Sequence, residues 1–266
     1  MPAIQPARLK HQTAQLAECF EQPDRFVRTL HDLLNAYSDH TQRPGQGGEP
    51  TALLDSYRVP QPVLREIFFA LKPLIRDKPE ATINLCQRLW KEPNLECRVI
   101  ASTMLGQVEH ISAKKVMELV HEWLEEEPED HILWAVLDHA LAHIRHEQPA
   151  LLIDVIKDWL SNKKLFYVRC GLWALLFLGV DVKFPNLPEV FHLLTPFIRS
   201  VPRELSPDIQ NILQKLAKYA PEETAFVLRQ LIDQTGSPDT AWLIRQVIHE
   251  FPRSIQDSLR QSLKST

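Results

Sequence analysis

HILWAVLDHALAHIRH, residues 131–146, is followed after one short helix and a turn by LFYVRCGLWALLFLG, residues 165–179, and these two stretches decide the fold. In the first, Ile132, Leu133, Val136, Leu137, Ala140, Leu141 and Ile144 recur at spacings of three and four, which draws a single apolar stripe along one side of a helix. At roughly 100° per residue, Trp134, Asp138 and Arg145 fall nearly on one line, about a quarter turn from the centre of that stripe. An indole and a carboxylate therefore share a rim. The second stretch is apolar almost all round, as a helix covered on both sides must be, yet it carries Arg169 among Leu165, Leu172, Trp173 and Leu176. An arginine is seldom buried unpaired, so an anion is expected beside it, and the nearest candidate one unit back is Asp138.

Working outward, the same unit recurs. The chain becomes periodic from Val59, with one helix expected over 62–75 and the next over 79–90. RLWKEP precedes LECRVIASTMLG, HEWLEEEP precedes the Trp134 helix, and KDWLSNKK precedes the Arg169 helix, so that Trp90, Trp123 and Trp159 recur at intervals of 33 and 36 residues. PFIRSVP before DIQNILQKLAKYAP and QLIDQTG before AWLIRQVIHEFP continue the phase more weakly. A period in the thirties, two helices to the unit, predicts an all-α, HEAT-like helical repeat solenoid, an α-α superhelix with a concave binding face. The recurring tryptophans Trp90, Trp123 and Trp159, together with Trp173, read as core or packing between repeats.

Ahead of the array, residues 6–20 and 24–37 read as a helical hairpin, with Asp24 as N-cap of its second helix. The expected division is a hairpin over 1–37, a flexible loop over 38–58 that holds three of the seven glycines, and the repeat array over 59–266. Twenty prolines against seven glycines fit many helices joined by tight turns. No segment has the length and apolarity of a membrane span and no signal pattern opens the chain, so a cytoplasmic protein without a membrane partner is expected. The cysteines Cys19, Cys86, Cys97 and Cys170 form no CxxC pair and suit a reducing compartment. A net charge of −4 gives no global pull toward nucleic acid, so any DNA contact needs a local basic face.

LWKEPNLECRVIASTMLG (89–106), LWAVLD (133–138), FYVRCGLWALL (166–176) and DIQNILQKLAKYAPEE (208–223), in that order and spacing, resemble the DNA alkylation repair family, the AlkD-type HEAT-repeat alkylpurine DNA glycosylases. The resemblance covers roughly 59–252 and implies a divergent member. It implies a tryptophan and an aspartate four residues apart on one helix and an arginine on the corresponding helix of the next repeat, here Trp134, Asp138 and Arg169, facing double-stranded DNA that carries alkylated bases. The implied activity is hydrolytic excision of cationic N3- or N7-alkylated purines by a monomer that needs no metal or organic cofactor. Asp138 would then steady the oxocarbenium-like sugar and orient or deprotonate water, Trp134 would lie against deoxyribose, and Arg169 would hold a phosphate or fix the carboxylate.

Where the family places a second tryptophan, this chain has Leu213, Gln214 and Lys215. Lys163 and Lys164, at the start of the Arg169 helix, and Lys215 are candidate DNA contacts, with Lys114 and Lys115 at an earlier helix. Two other readings stay open: an aspartate-to-arginine ladder that only sets register between repeats, and a non-enzymatic scaffold that binds a protein or unusual DNA. His139, His143 and His146 share a helix face that the apolar stripe places in solvent, and the acidic run 125–130 reads as a solvated rim.

Overall fold

A computed structural model describes residues 4–38 and 54–264. Among these the chain is helical throughout, with one isolated bridge between Asp55 and Asn94 and no strand. The all-α helical repeat reading therefore holds. The helices fall into two compact units, Met1–Glu147 and Gln148–Thr266. The expected loop over 38–58 lies largely on residues 39–53, outside the described residues.

The first unit holds α1 (Pro6–Glu18), α2 (Pro23–Ala36), α3 (Gln61–Asp77), α4 (Pro79–Trp90), α5 (Leu95–Leu105), α6 (Ala113–Glu125), α7 (Asp130–Ala135), a π-helical segment (Val136–Ala140) and α8 (Ala142–Glu147). The second holds α9 (Pro149–Leu160), α10 (Leu165–Gly179), α11 (Leu187–Arg199), α12 (Ser206–Tyr219), α13 (Pro221–Thr235), α14 (Pro238–Val247) and α15 (Arg253–Ser262). Nine of these helices carry proline at one of their first two positions, which is how so many prolines coexist with so much helix. There the missing N–H costs nothing and the fixed φ starts the turn. Asn94, Ser112, Asn186 and Ser237 cap their helices by accepting from a backbone N–H in the first turn. Asp24 is not a cap: α2 begins at Pro23 after Gln22, and the carboxylate sits in the first turn, where it meets the positive end of the helix dipole.

In the first unit α5 packs on α4 and on the π segment, while α1 packs on α2 and α3. Trp90 and Trp123 stack face to face, their ring centroids 4.3 Å apart, so two of the recurring tryptophans do join neighbouring repeats. Residues 54–58 are strapped to the start of α5. The Asp55 carbonyl accepts from Leu95 N and Asn94 Nδ2, and Glu96 Oε1 accepts from Ser56 Oγ and Arg58 N. In the second unit α10 is the hub, packed on α9, α11 and α12. Its ten buried residues explain why its sequence is apolar almost all round. All four cysteines are buried as free thiols. No helix among the described residues is long and apolar enough to cross a membrane.

Candidate functional site

The stretch 131–146 is not one straight helix. It starts as α7, widens into the π segment at Val136–Ala140, turns at Leu141 and resumes as α8. The apolar stripe stays intact through these changes, with every one of its seven residues buried. Asp138 sits in the middle of the π segment. Single π turns within helices recur at functional sites because they re-aim side chains and backbone groups. Here the widened turn is seated on Gly106, the residue that ends α5, whose missing side chain leaves room for the His139 carbonyl.

Around Asp138 the side chains close into a small cluster. Arg145 donates through Nη1 to the Asp138 backbone oxygen at 3.1 Å and through Nη2 to Oδ1 at 3.3 Å. His139 Nδ1 stands 3.4 Å from the other oxygen, Oδ2. The same imidazole meets Trp134 edge to face, 5.0 Å between centroids at 90°. Trp134 is 43% exposed, and the Asp138 side chain is 22% exposed. A large indole left in water beside a half-buried carboxylate is the kind of exposed aromatic that marks a contact surface. Burial, aided by the Arg145 charge and opposed by Asp138, pushes the His139 pKa below its ordinary value. The His139 imidazole lies between Trp134 and Asp138. Its side chain is 34% exposed, so it is not freely solvated as the sequence suggested.

Arg169 finds its anion in α12, where the sequence had pointed back to Asp138. Its Nε donates to Asp208 Oδ2 at 3.0 Å, and its guanidinium lies 5.1 Å over the Trp173 ring. Trp173 Nε1 donates to the other oxygen of Asp208 at 2.7 Å. The first unit holds the same device: Arg98 lies 4.8 Å over Trp90, and Glu126 accepts from Trp90 Nε1 at 3.0 Å and from Arg98 Nη1 at 2.9 Å. One carboxylate thus joins an arginine to the indole it stacks on, twice among the described residues. The pairing of Arg169 with Asp138 that the sequence suggested is not made: Arg169 pairs with Asp208, and Asp138 is bound by Arg145. Glu126 belongs to the acidic run expected on a solvated rim, yet it serves this clamp.

Lys163, Lys164 and Lys215 are all exposed. At the position of the family's second tryptophan, Leu213 is buried in the core and Gln214 is half-buried. Sequence reasoning missed Asp208, His139 and Gly106. Asp208 carried one signal, an acid in the first turn of a helix, a place that dipole complementarity also explains.

A second polar cluster, away from these residues in sequence, lines a cavity of about 340 Å³ between α2, the turn from α4 to α5 and the 54–58 strap. His31 joins Tyr57 Oη and Glu92 Oε2, each at 2.9 Å, and Arg88 bridges Glu92 and Asp24. Both imidazole nitrogens are engaged, so the arrangement reads as an anchor for the strap. An apolar groove of about 690 Å³ lies between α11 and α13, with Phe226 at its lip.

A family model described as DNA alkylation repair enzyme matches residues 53–227, well over half of the chain. No curated protein matches it. No solved structure matches it either.

Proposed function

The chain belongs to the DNA alkylation repair enzyme family, and from that premise we propose that it is a DNA glycosylase that excises cationic N3- or N7-alkylated purines from double-stranded DNA, with Asp138 as the reacting carboxylate. One observation carries the assignment: Asp138 and the exposed Trp134 share the His139 imidazole between them, and Asp138 lies outside both arginine–carboxylate clamps. A carboxylate outside the clamps, partly open and close to an exposed indole, supports this reading.

The chemistry asks for those groups. An alkylated purine carries a positive charge, and when its N-glycosidic bond breaks, the bonding electron pair leaves with the base and neutralises it. The sugar is left as an oxocarbenium-like cation that an adjacent carboxylate stabilises. Water then bonds to C1′ through its oxygen and loses one proton, for which Asp138 is the acceptor. Trp134 offers its face to the deoxyribose. The exposed Lys163, Lys164 and Lys215 give the second unit its own phosphate contacts. Arg169, clamped as Arg98 is, holds register.

The test is release of N7-methylguanine from a methylated duplex by the native protein and by Asp138→Asn. Release that collapses in the variant supports the glycosylase. Release no faster than the spontaneous rate, with the duplex still bound, replaces it with a DNA-binding protein of the same family. The absence of an aromatic side chain across Leu213–Lys215 is the observation that favours this second reading.

A further inference from the structure

We propose that Arg145 is the positioning residue of the Asp138 site, an inference that rests on the reading of Asp138 as the reacting carboxylate. Arg145 is seven residues beyond Asp138 and grips it at two points, the backbone carbonyl and the carboxylate oxygen Oδ1. One planar guanidinium holding main chain and side chain of the same residue fixes the carboxylate against its own backbone. A lysine ammonium, a single point charge, lacks the fork needed for both contacts. The Arg145 side chain is only 10% exposed, so its own geometry is set by the protein around it.

The local backbone explains why such a grip exists here. The last carbonyls before a helix ends have no partner within the helix, and they point toward its C-terminal end. Asp138 lies three residues before the turn at Leu141, and its carbonyl accepts from Arg145 Nη1. The π turn and the arginine thus act on the same residue. With Oδ1 engaged by Arg145, Oδ2 is the oxygen on the side of His139, whose ring Trp134 meets, and on this proposal Oδ2 takes the water that attacks C1′.

The experiment measures single-turnover release of N7-methylguanine and, separately, duplex affinity, for the native protein, Arg145→Met, Arg145→Lys and Asp138→Asn/Arg145→Met. A reacting group misplaced by about 1 Å costs on the order of 10²-fold in rate, so Arg145→Met is expected to lose about that much while affinity changes by less than about threefold. Arg145→Lys keeps the charge and stays at least about tenfold slow. The double variant is no slower than Asp138→Asn alone, since Arg145 acts through Asp138. Full activity in Arg145→Lys would reduce the role to charge and overturn the proposal. So would a further loss in the double variant, or a rate loss in Arg145→Met that disappears on cooling as fold is regained. If the native protein releases no base, the glycosylase reading falls and this inference falls with it. Release by the native protein without the expected pattern sinks the positioning role alone.

Discussion

A side chain on Gly106 would place its Cβ 1.7 Å from the carbonyl oxygen of His139. The neighbour is backbone, which cannot swing away, so Gly106→Ala must push the π segment off α5. Overpacking of this kind costs about 1–3 kcal/mol. The variant is expected to unfold at lower urea concentration and to lose excision activity measured well below its unfolding midpoint, because Asp138 rides on the displaced turn. Native-like activity in a folded Gly106→Ala protein would show that the site tolerates movement of that turn.

The clamps predict a different kind of loss. Removing Asp208 strips Arg169 and the Trp173 indole N–H of their shared acceptor. Unsatisfied buried donors cost about 1–3 kcal/mol, more for charged groups, although the Arg169 side chain is about a third exposed and water offsets part of it. Asp208→Ala should lower stability in urea by an amount in this range, and Glu126→Ala should do the same through Arg98 and Trp90. A stability unchanged by both would leave the repeated geometry without an energetic role.

Acid should weaken the fold in two stages. His139 has its pKa lowered, foremost by burial, so the unfolded chain takes up a proton there more readily than the native one. Its share of stability is intact above the unfolded value of about 6.5 and is lost as pH falls through the lower native value. Burial alone would raise Glu92, but hydrogen bonds and charge from Arg88 and His31 together outweigh it and hold this carboxyl below its ordinary range. That share is intact above about pH 4.3 and is lost below it. Urea midpoints across pH 8 to 3.5 should decline in both windows, with His139→Phe flattening the first and Glu92→Gln the second.

Trp134 should behave as a surface residue in stability and as a site residue in function. Its side chain is substantially exposed, so Trp134→Ala is expected to shift the urea midpoint little, within about 0.5 kcal/mol. Excision of N7-methylguanine should fall by about tenfold or more, with Trp134→Phe intermediate. A stability loss larger than the activity loss would return Trp134 to the edge of the core.

Much of the fold was legible because its signals are local. Tryptophans in phase, prolines at helix starts and apolar residues at spacings of three and four placed α4 at the residues it occupies and α1 to α3 within two residues of theirs. The π segment was not legible, because the same spacings suit a normal turn and a widened one, and what selects between them is the approach of Gly106 from a different helix. The partner of Arg169 was misplaced for a similar reason. Sequence shows that an arginine among leucines needs an acid, but Asp208 is 39 residues away, and only the packing of α12 on α10 brings it there. Trp134 and Asp138 could be singled out from the sequence because they are four residues apart in one continuous stretch, although they fall in α7 and in the π segment.

Under the proposed function, the two clamps also bear on how a chain of net charge −4 would approach DNA. Arg98 and Arg169 carry their own counterions in Glu126 and Asp208, so a phosphate arriving beside either finds its charge already answered. Cations shed from the DNA on binding must then be displaced by side chains outside the clamps, such as the exposed lysines. The slope of log affinity against log salt counts those displaced ions, and it should count lysines, leaving both clamped arginines out of the sum.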